Sequence, residues 1–122
     1  MSEPKLYDGE LKFMDIVWDN EPLPSRRLVE LCGEKLGWKQ STTYTVLKKL
    51  SLKGLVRNEH SVVTALVKRD QAQRYESERV VDRAFGGSLP SFVAAFASGR
   101  GISDQEAEEL LRLVEKYRRA RP

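Results

Sequence analysis

"WKQSTTYTVLKKLSLKG", residues 38–54, holds four lysines, a run of hydroxyl side chains and no acidic residue. Thr43, Val46, Leu47 and Leu50 recur within it at helical spacing and form an apolar stripe. Ser41, Thr42, Thr45, Lys48 and Lys49, three or four positions apart, share the face turned away from that stripe. Gly54 stands where a left-handed residue closes a helix. "LVRNE" (55–59) and "VVTALV" (62–67) follow, two runs rich in β-branched residues joined by His60 and Ser61. They predict an antiparallel hairpin.

Working outward, two further helices precede this segment. Asp8 is a candidate cap for a helix with Leu11, Met14, Val17 and Trp18 on one side. "NEPLPS", residues 20–25, ends it with two prolines, and Ser25 is placed to cap a second helix carrying Leu28, Leu31, Cys32 and Leu36. Gly37 interrupts before the third helix. Three helices followed by a two-stranded hairpin is the element order of a winged helix-turn-helix. The expected fold is therefore mainly α with a small β-hairpin, with a winged helix-turn-helix over residues 1–70.

Residues 71–122 return to helical patterns. Asp70, with Gln73 at the capping-box position, opens a helix running to about Phe85, and "GGS" at 86–88 stops it. Ser88 begins a short apolar helix, "LPSFVAAFA", in which Pro90 sits in the tolerant first turn. "SDQE", residues 103–106, is a capping box opening a last helix striped with Ala107, Leu110, Leu111, Val114 and Tyr117. This third of the chain is too short for its own core, yet Val80, Val81, Phe85, Leu89, Phe92, Val93, Phe96, Leu110, Leu111 and Val114 all require burial. They either pack back on the winged domain or pair with the same segment of a second chain, and homodimerisation through this helical region is the expectation.

The net charge of +3 conceals an uneven distribution. Residues 1–34 hold four Lys/Arg against eight Asp/Glu, residues 35–69 eight against one, and residues 70–122 nine against nine. The basic middle block reads either as a footprint for a polyanion or as a solvated lysine-rich face. The patterning of the third helix favours the first. Small hydroxyls allow close approach to base edges, threonine offers its methyl group to thymine, and lysine reaches phosphate or guanine. The candidate DNA-contacting residues are Gln40, Ser41, Thr42, Tyr44, Thr45, Lys48 and Lys49 on or beside the helix. Lys53, Arg57, Lys68 and Arg69 would extend the positive surface.

Enzymatic readings have little to stand on. His60, the sole histidine, falls in the hairpin link and reads as a wing-tip surface residue rather than a catalytic base. Cys32 lies on the apolar side of the second helix, which suits a buried structural thiol. One cysteine excludes an internal disulfide, and no cofactor or metal is expected. No apolar run is long enough to span a membrane, so a cytoplasmic location is expected.

"LKFMDIVW" at 11–18, "W…STTYTVLKKLSLKGLV" at 38–56 and "DRAFGGSLPSFVAAF" at 82–96 resemble the penicillinase-repressor (BlaI/MecI) family of bacterial winged-helix regulators. The likeness runs in order and spacing over nearly the whole chain. It implies a homodimeric repressor of β-lactamase or related resistance genes. The winged helix would bind a palindromic operator while the C-terminal helices interlock between subunits. In the family, residues matching Ser41, Thr42, Thr45 and Lys49 face the DNA. Repression is relieved when a membrane sensor peptidase signals and the repressor is cut in its dimerisation region. The chain departs from the pattern in three places. Ala95 and Phe96 stand where the cut members have Asn-Phe, the hairpin "EHSVVTALV" lacks a Gly-Arg tip, and the tail has no cysteine cluster for copper. The competing function is a winged-helix protein-interaction module whose basic face docks an acidic partner.

Overall fold

Helix α1 (Asp8–Asn20) turns Phe13, Met14, Ile16 and Val17 inward, and all four are buried. The structure, a computed structural model, describes residues 6–118. After α1 the chain forms β1 (Leu23–Pro24), α2 (Ser25–Leu36), α3 (Gln40–Leu52), β2 (Val56–Glu59) and β3 (Val62–Ala65). Three helices follow: α4 (Arg69–Phe85), α5 (Leu89–Arg100) and α6 (Asp104–Tyr117). None of them is long and apolar enough to cross a membrane.

The core is the meeting of the apolar stripes. Leu28, Leu31 and Cys32 from α2 and Thr43, Leu47 and Leu50 from α3 close over the buried side of α1, with Leu55, Val56, Val63 and Ala72 completing the cluster. Thr43 is the polar exception. Fully buried, it keeps its hydroxyl satisfied by donating to the Lys39 carbonyl at 3.3 Å. Trp38, in the link between α2 and α3, stacks on Phe13 with ring centroids 6.2 Å apart.

The sheet has three strands in the order β1-β3-β2, all antiparallel. β2 pairs with β3 from Val56↔Ala65 to Glu59↔Val62, which leaves His60 and Ser61 as a two-residue turn. Both residues have positive φ, 54° and 62°, as a type I′ turn requires. β1 is an addition to the expected hairpin. The prolines of residues 20–25 do break α1, but Leu23 and Pro24 also pair with β3, Leu23 opposite Val63 and Pro24 opposite Val62. Two residues are too few for strand periodicity to register. Beyond β1, the Glu21 carboxylate accepts from the Ala65 N–H at 2.7 Å and continues the ladder with a side chain.

The helix starts differ in detail from the expected caps. Tyr7 is the N-cap of α1, its N–H donating to Glu10 at 3.2 Å, and Asp8 is already helical. Ser25 is the first residue of α2 rather than its cap, and its N–H donates to the Ser61 carbonyl, joining the helix to the turn of the hairpin. α4 opens one residue before Asp70, and Gln71, not Gln73, reaches back to accept the Lys68 N–H at 2.8 Å. The capping box at Ser103 and Glu106 forms as the sequence predicts.

The chain divides into two compact units, one ending at Arg79 and the other beginning at Val80, so the division falls inside α4. In the first unit, Trp18 Nε1 donates to the Val67 carbonyl at 2.9 Å. Arg69 binds Asp19 at 2.7 Å and Asp15 at 3.6 Å while lying over the Trp18 ring. In the second unit, α5 and α6 contain no buried residue although both are rich in large apolar side chains.

Candidate nucleic-acid interface

The outward face of α3 is built by default: once Thr43, Leu47 and Leu50 are buried, helical spacing leaves Ser41, Thr45, Lys48 and Leu52 pointing away. All four are exposed, Leu52 by 80%. Thr42 borders this face on one side, and Gln40 and Tyr44 on the other. The structure thus brings Gln40, Ser41, Thr42, Tyr44, Thr45 and Lys48 onto one exposed surface. The Thr45 hydroxyl donates to the Ser41 carbonyl at 2.9 Å, so its proton is engaged and it presents a methyl group and oxygen lone pairs outward.

Lys49 and Lys53 are placed differently from the sequence expectation. They lie on the flank of α3 that faces the start of α1, where Glu10 takes Lys49 at 2.9 Å and Lys53 at 3.5 Å. Both ammonium groups also stand over the Tyr7 ring, at 5.7 and 5.5 Å. Burial alone raises the Glu10 pKa, but the Lys49 hydrogen bond, the Tyr7 N–H and the two lysine charges outweigh it, and the net shift is downward. Lys49 moves up in response, chiefly through the same hydrogen bond. Arg69 is likewise ion-paired, to Asp15 and Asp19. Lys35, Lys39, Lys48, Arg57 and Lys68 carry no ion pair among the described residues.

Beside the face runs a groove lined by Pro24, Ser25, Arg26, Val29, Gln40, Tyr44 and Ser61. Arg26 is exposed there, at the first turn of α2. It is a basic residue that the charge pattern of residues 35–69 did not point to, because it belongs to the acidic third of the chain. Its signal was a place in the first turn of the helix preceding α3.

Cys32 is buried, and burial pushes its thiol pKa up, eased in part by a hydrogen bond with Thr43. It is a packing residue. Among the described residues no group of His, Cys, Asp or Glu is arranged to hold a metal ion.

The residues expected at a dimer interface are only partly brought together. Phe92, Val93, Phe96 and Leu110 line one apolar groove with Ile102 and Leu113, edged by Arg100, Glu106 and Glu109. Phe85 meets Phe92 edge to face at 5.5 Å. Leu89, Leu111 and Val114 are exposed outside the groove, and Val81 is partly buried. Ala95 and Phe96 lie in the middle of α5.

The penicillinase repressor family pattern covers residues 7–116. A penicillinase repressor of Bacillus licheniformis is 24% identical over 120 residues, spanning 94% of this chain and 93% of its own. The methicillin resistance regulatory protein MecI of Staphylococcus aureus strain Mu50 is 22% identical over 116 residues, spanning 92% and 94%. Among solved structures, the monomeric form of B. licheniformis BlaI in complex with the blaP half-operator superposes with a TM-score of 0.50. It has 22% identity and covers 57% of this chain and 90% of that one. The winged helix and all but the last residue of the helical C-terminal segment fall inside the matched span, and the chain belongs to the penicillinase repressor family, a family of repressors and not of enzymes.

Proposed function

We propose that this protein is a sequence-specific, DNA-binding transcriptional repressor that acts as a homodimer on a palindromic operator. The observation that carries the reading is the exposed face of α3, where hydroxyl groups and Lys48 stand together on a helix whose other side is locked into the core. Such a helix fits the major groove. Ser41, Thr42 and Thr45 would read base edges and thymine methyl groups, and the exposed Leu52 adds apolar surface at the end of the same face. Gln40 and Tyr44 flank it beside the α2 start. Lys48, Arg57 and Lys68 would supply phosphate contacts, and Lys53 adds positive potential nearby. These roles belong to residues 1–70.

Self-association is assigned to the helices of residues 71–122. The apolar helix α5 and the amphipathic helix α6, neither with a buried residue, leave their apolar groove to water in a single chain, and a second copy is the natural cover. Two recognition helices then meet half-sites about one helical turn apart, roughly 34–36 Å. Induction would follow from anything that separates the subunits, since one half-site alone binds weakly. A membrane sensor peptidase is one route. Cutting at Ala95–Phe96 requires α5 to unwind locally, because that bond lies inside the helix. The relatives named as penicillinase and methicillin-resistance regulators point to resistance genes as targets.

The reading is tested by competition at physiological salt between a duplex selected from a random pool and bulk random duplex. A repressor should prefer the selected duplex by about a thousandfold or more. Equal affinity for the two would instead identify an interaction module.

A further inference from the structure

We infer that Arg69 is a positioning residue for operator recognition: with Trp18, Asp15 and Asp19 it clamps the root of α4 onto α1 and so restricts the half-site spacing a dimer accepts. The inference rests on the dimeric repressor reading above and goes beyond it. Base contacts from α3 decide which half-site is bound, whereas the clamp bears on the distance between two of them. It is built from two links that run in opposite directions. From α1, Trp18 Nε1 donates to the Val67 carbonyl at 2.9 Å, two residues before α4 begins. From the first residue of α4, the Arg69 guanidinium returns to lie over the Trp18 ring, 5.3 Å from its centroid. One guanidinium nitrogen donates to the Asp19 carboxylate at 2.7 Å and to the Asp15 backbone carbonyl at 3.2 Å. Nε stands 3.6 Å from the Asp15 carboxylate.

Asp15 and Asp19 are about one helical turn apart on α1, so a single planar side chain grips both ends of that turn. A forked guanidinium stacked on a ring fixes direction as well as distance, which a lysine point charge does not. The two carboxylate side chains are 50% and 63% exposed, and ion pairs this open add little to overall stability. Orientation is what such a cluster can supply. α4 then runs unbroken to Phe85, and the second compact unit begins within it, at Val80. A dimer gains from its second half-site only where both are engaged at once. Moving one half-site by a base pair displaces it by about 3.4 Å along the DNA axis and turns it by roughly 35°. A connection fixed at its root discriminates between such spacings, and one that swivels there does not.

The test takes the duplex selected by native protein and versions with one or two base pairs inserted between its half-sites or removed from there. Native protein should lose about tenfold or more in affinity for each base pair moved. Arg69→Ala should lose about threefold or less, and so should the double variant Asp15→Asn, Asp19→Asn. The asparagines keep the side-chain shape at exposed positions and leave the Arg69 charge in place, which separates the clamp from a phosphate contact made by Arg69 itself. Base preference within a half-site should be the same in all three proteins, a pattern that general loss of structure would not give. Native spacing discrimination retained by either variant overturns the inference. The two failures separate cleanly. If native protein enriches no duplex, the repressor reading falls and takes the clamp with it; if it enriches a two-fold site but binds every spacing alike, only the clamp falls.

Discussion

Cys32 and Glu10 show how single side chains are tuned by what surrounds them. The Cys32 thiol is buried against the helix packing and held in its neutral form. Reaction with iodoacetamide should be slow in the folded protein and become rapid in denaturant, measured by mass shift; rapid labelling of native protein would contradict the packing described. For Glu10 the folded-state pKa lies below the ordinary value of 4.5, so its ionised form stabilises the fold above the unfolded-state pKa. That contribution is lost as pH falls through the lowered folded value. Denaturation of native protein and Glu10→Gln across pH should show native protein losing relative stability below about pH 4.5, the difference between them holding steady at neutral pH. The Glu10–Lys49 contact was not legible in the sequence. Periodicity reports which side of a helix faces inward, but not which flank meets a distant helix start.

At the scale of elements, α3 and the wing were the most legible parts of the chain. The switch from a 3.6-residue period ending at Gly54 to alternating β-branched residues placed both. The tip of the wing is less well matched to its geometry. A type I′ turn favours Asn-Gly, and here His60 and Ser61 hold positive φ without a glycine. Ser61→Gly should therefore raise the stability of the fold by on the order of 1 kcal/mol, since an L-residue with a β-carbon is disfavoured there. Chemical denaturation measures this, and a loss of stability would show that the Ser61 side chain contributes more than its backbone strain removes. β1 escaped the sequence because proline lacks a ladder donor and two residues carry no pattern. The expected caps Asp8, Ser25 and Asp70 were each near a true helix start, yet local hydrogen bonds from Tyr7, Ser61 and Gln71 settled the ends.

On the scale of the molecule, the division of labour follows from where apolar surface is satisfied. The first unit buries its stripes within itself, whereas α5 and α6 leave Phe96, Leu110, Leu111 and Val114 exposed. Leu110→Asp should convert a dimer into monomers in sedimentation analysis. Losing leucine burial in two copies removes about 3 kcal/mol or more, roughly a hundredfold in the dimer dissociation constant. A native protein that sediments as a monomer at micromolar concentration would contradict the proposed assembly. The apolar excess of residues 80–114 was legible in the sequence, but the groove itself was not, since Ile102 and Leu113 join it only once α5 and α6 fold back on each other.

The central claim is that the outward face of α3 reads base pairs. Its most direct measurement is selection of bound duplexes from a random pool by native protein and, in parallel, by the Thr42→Ala, Thr45→Ala double variant. Native protein should enrich a two-fold symmetric site with half-sites one helical turn, or a whole number of turns, apart. The variant should lose preference at defined positions within each half-site, by about 1–3 kcal/mol per position. Enrichment of the same site with the same preference by both proteins would show that this face does not read the sequence.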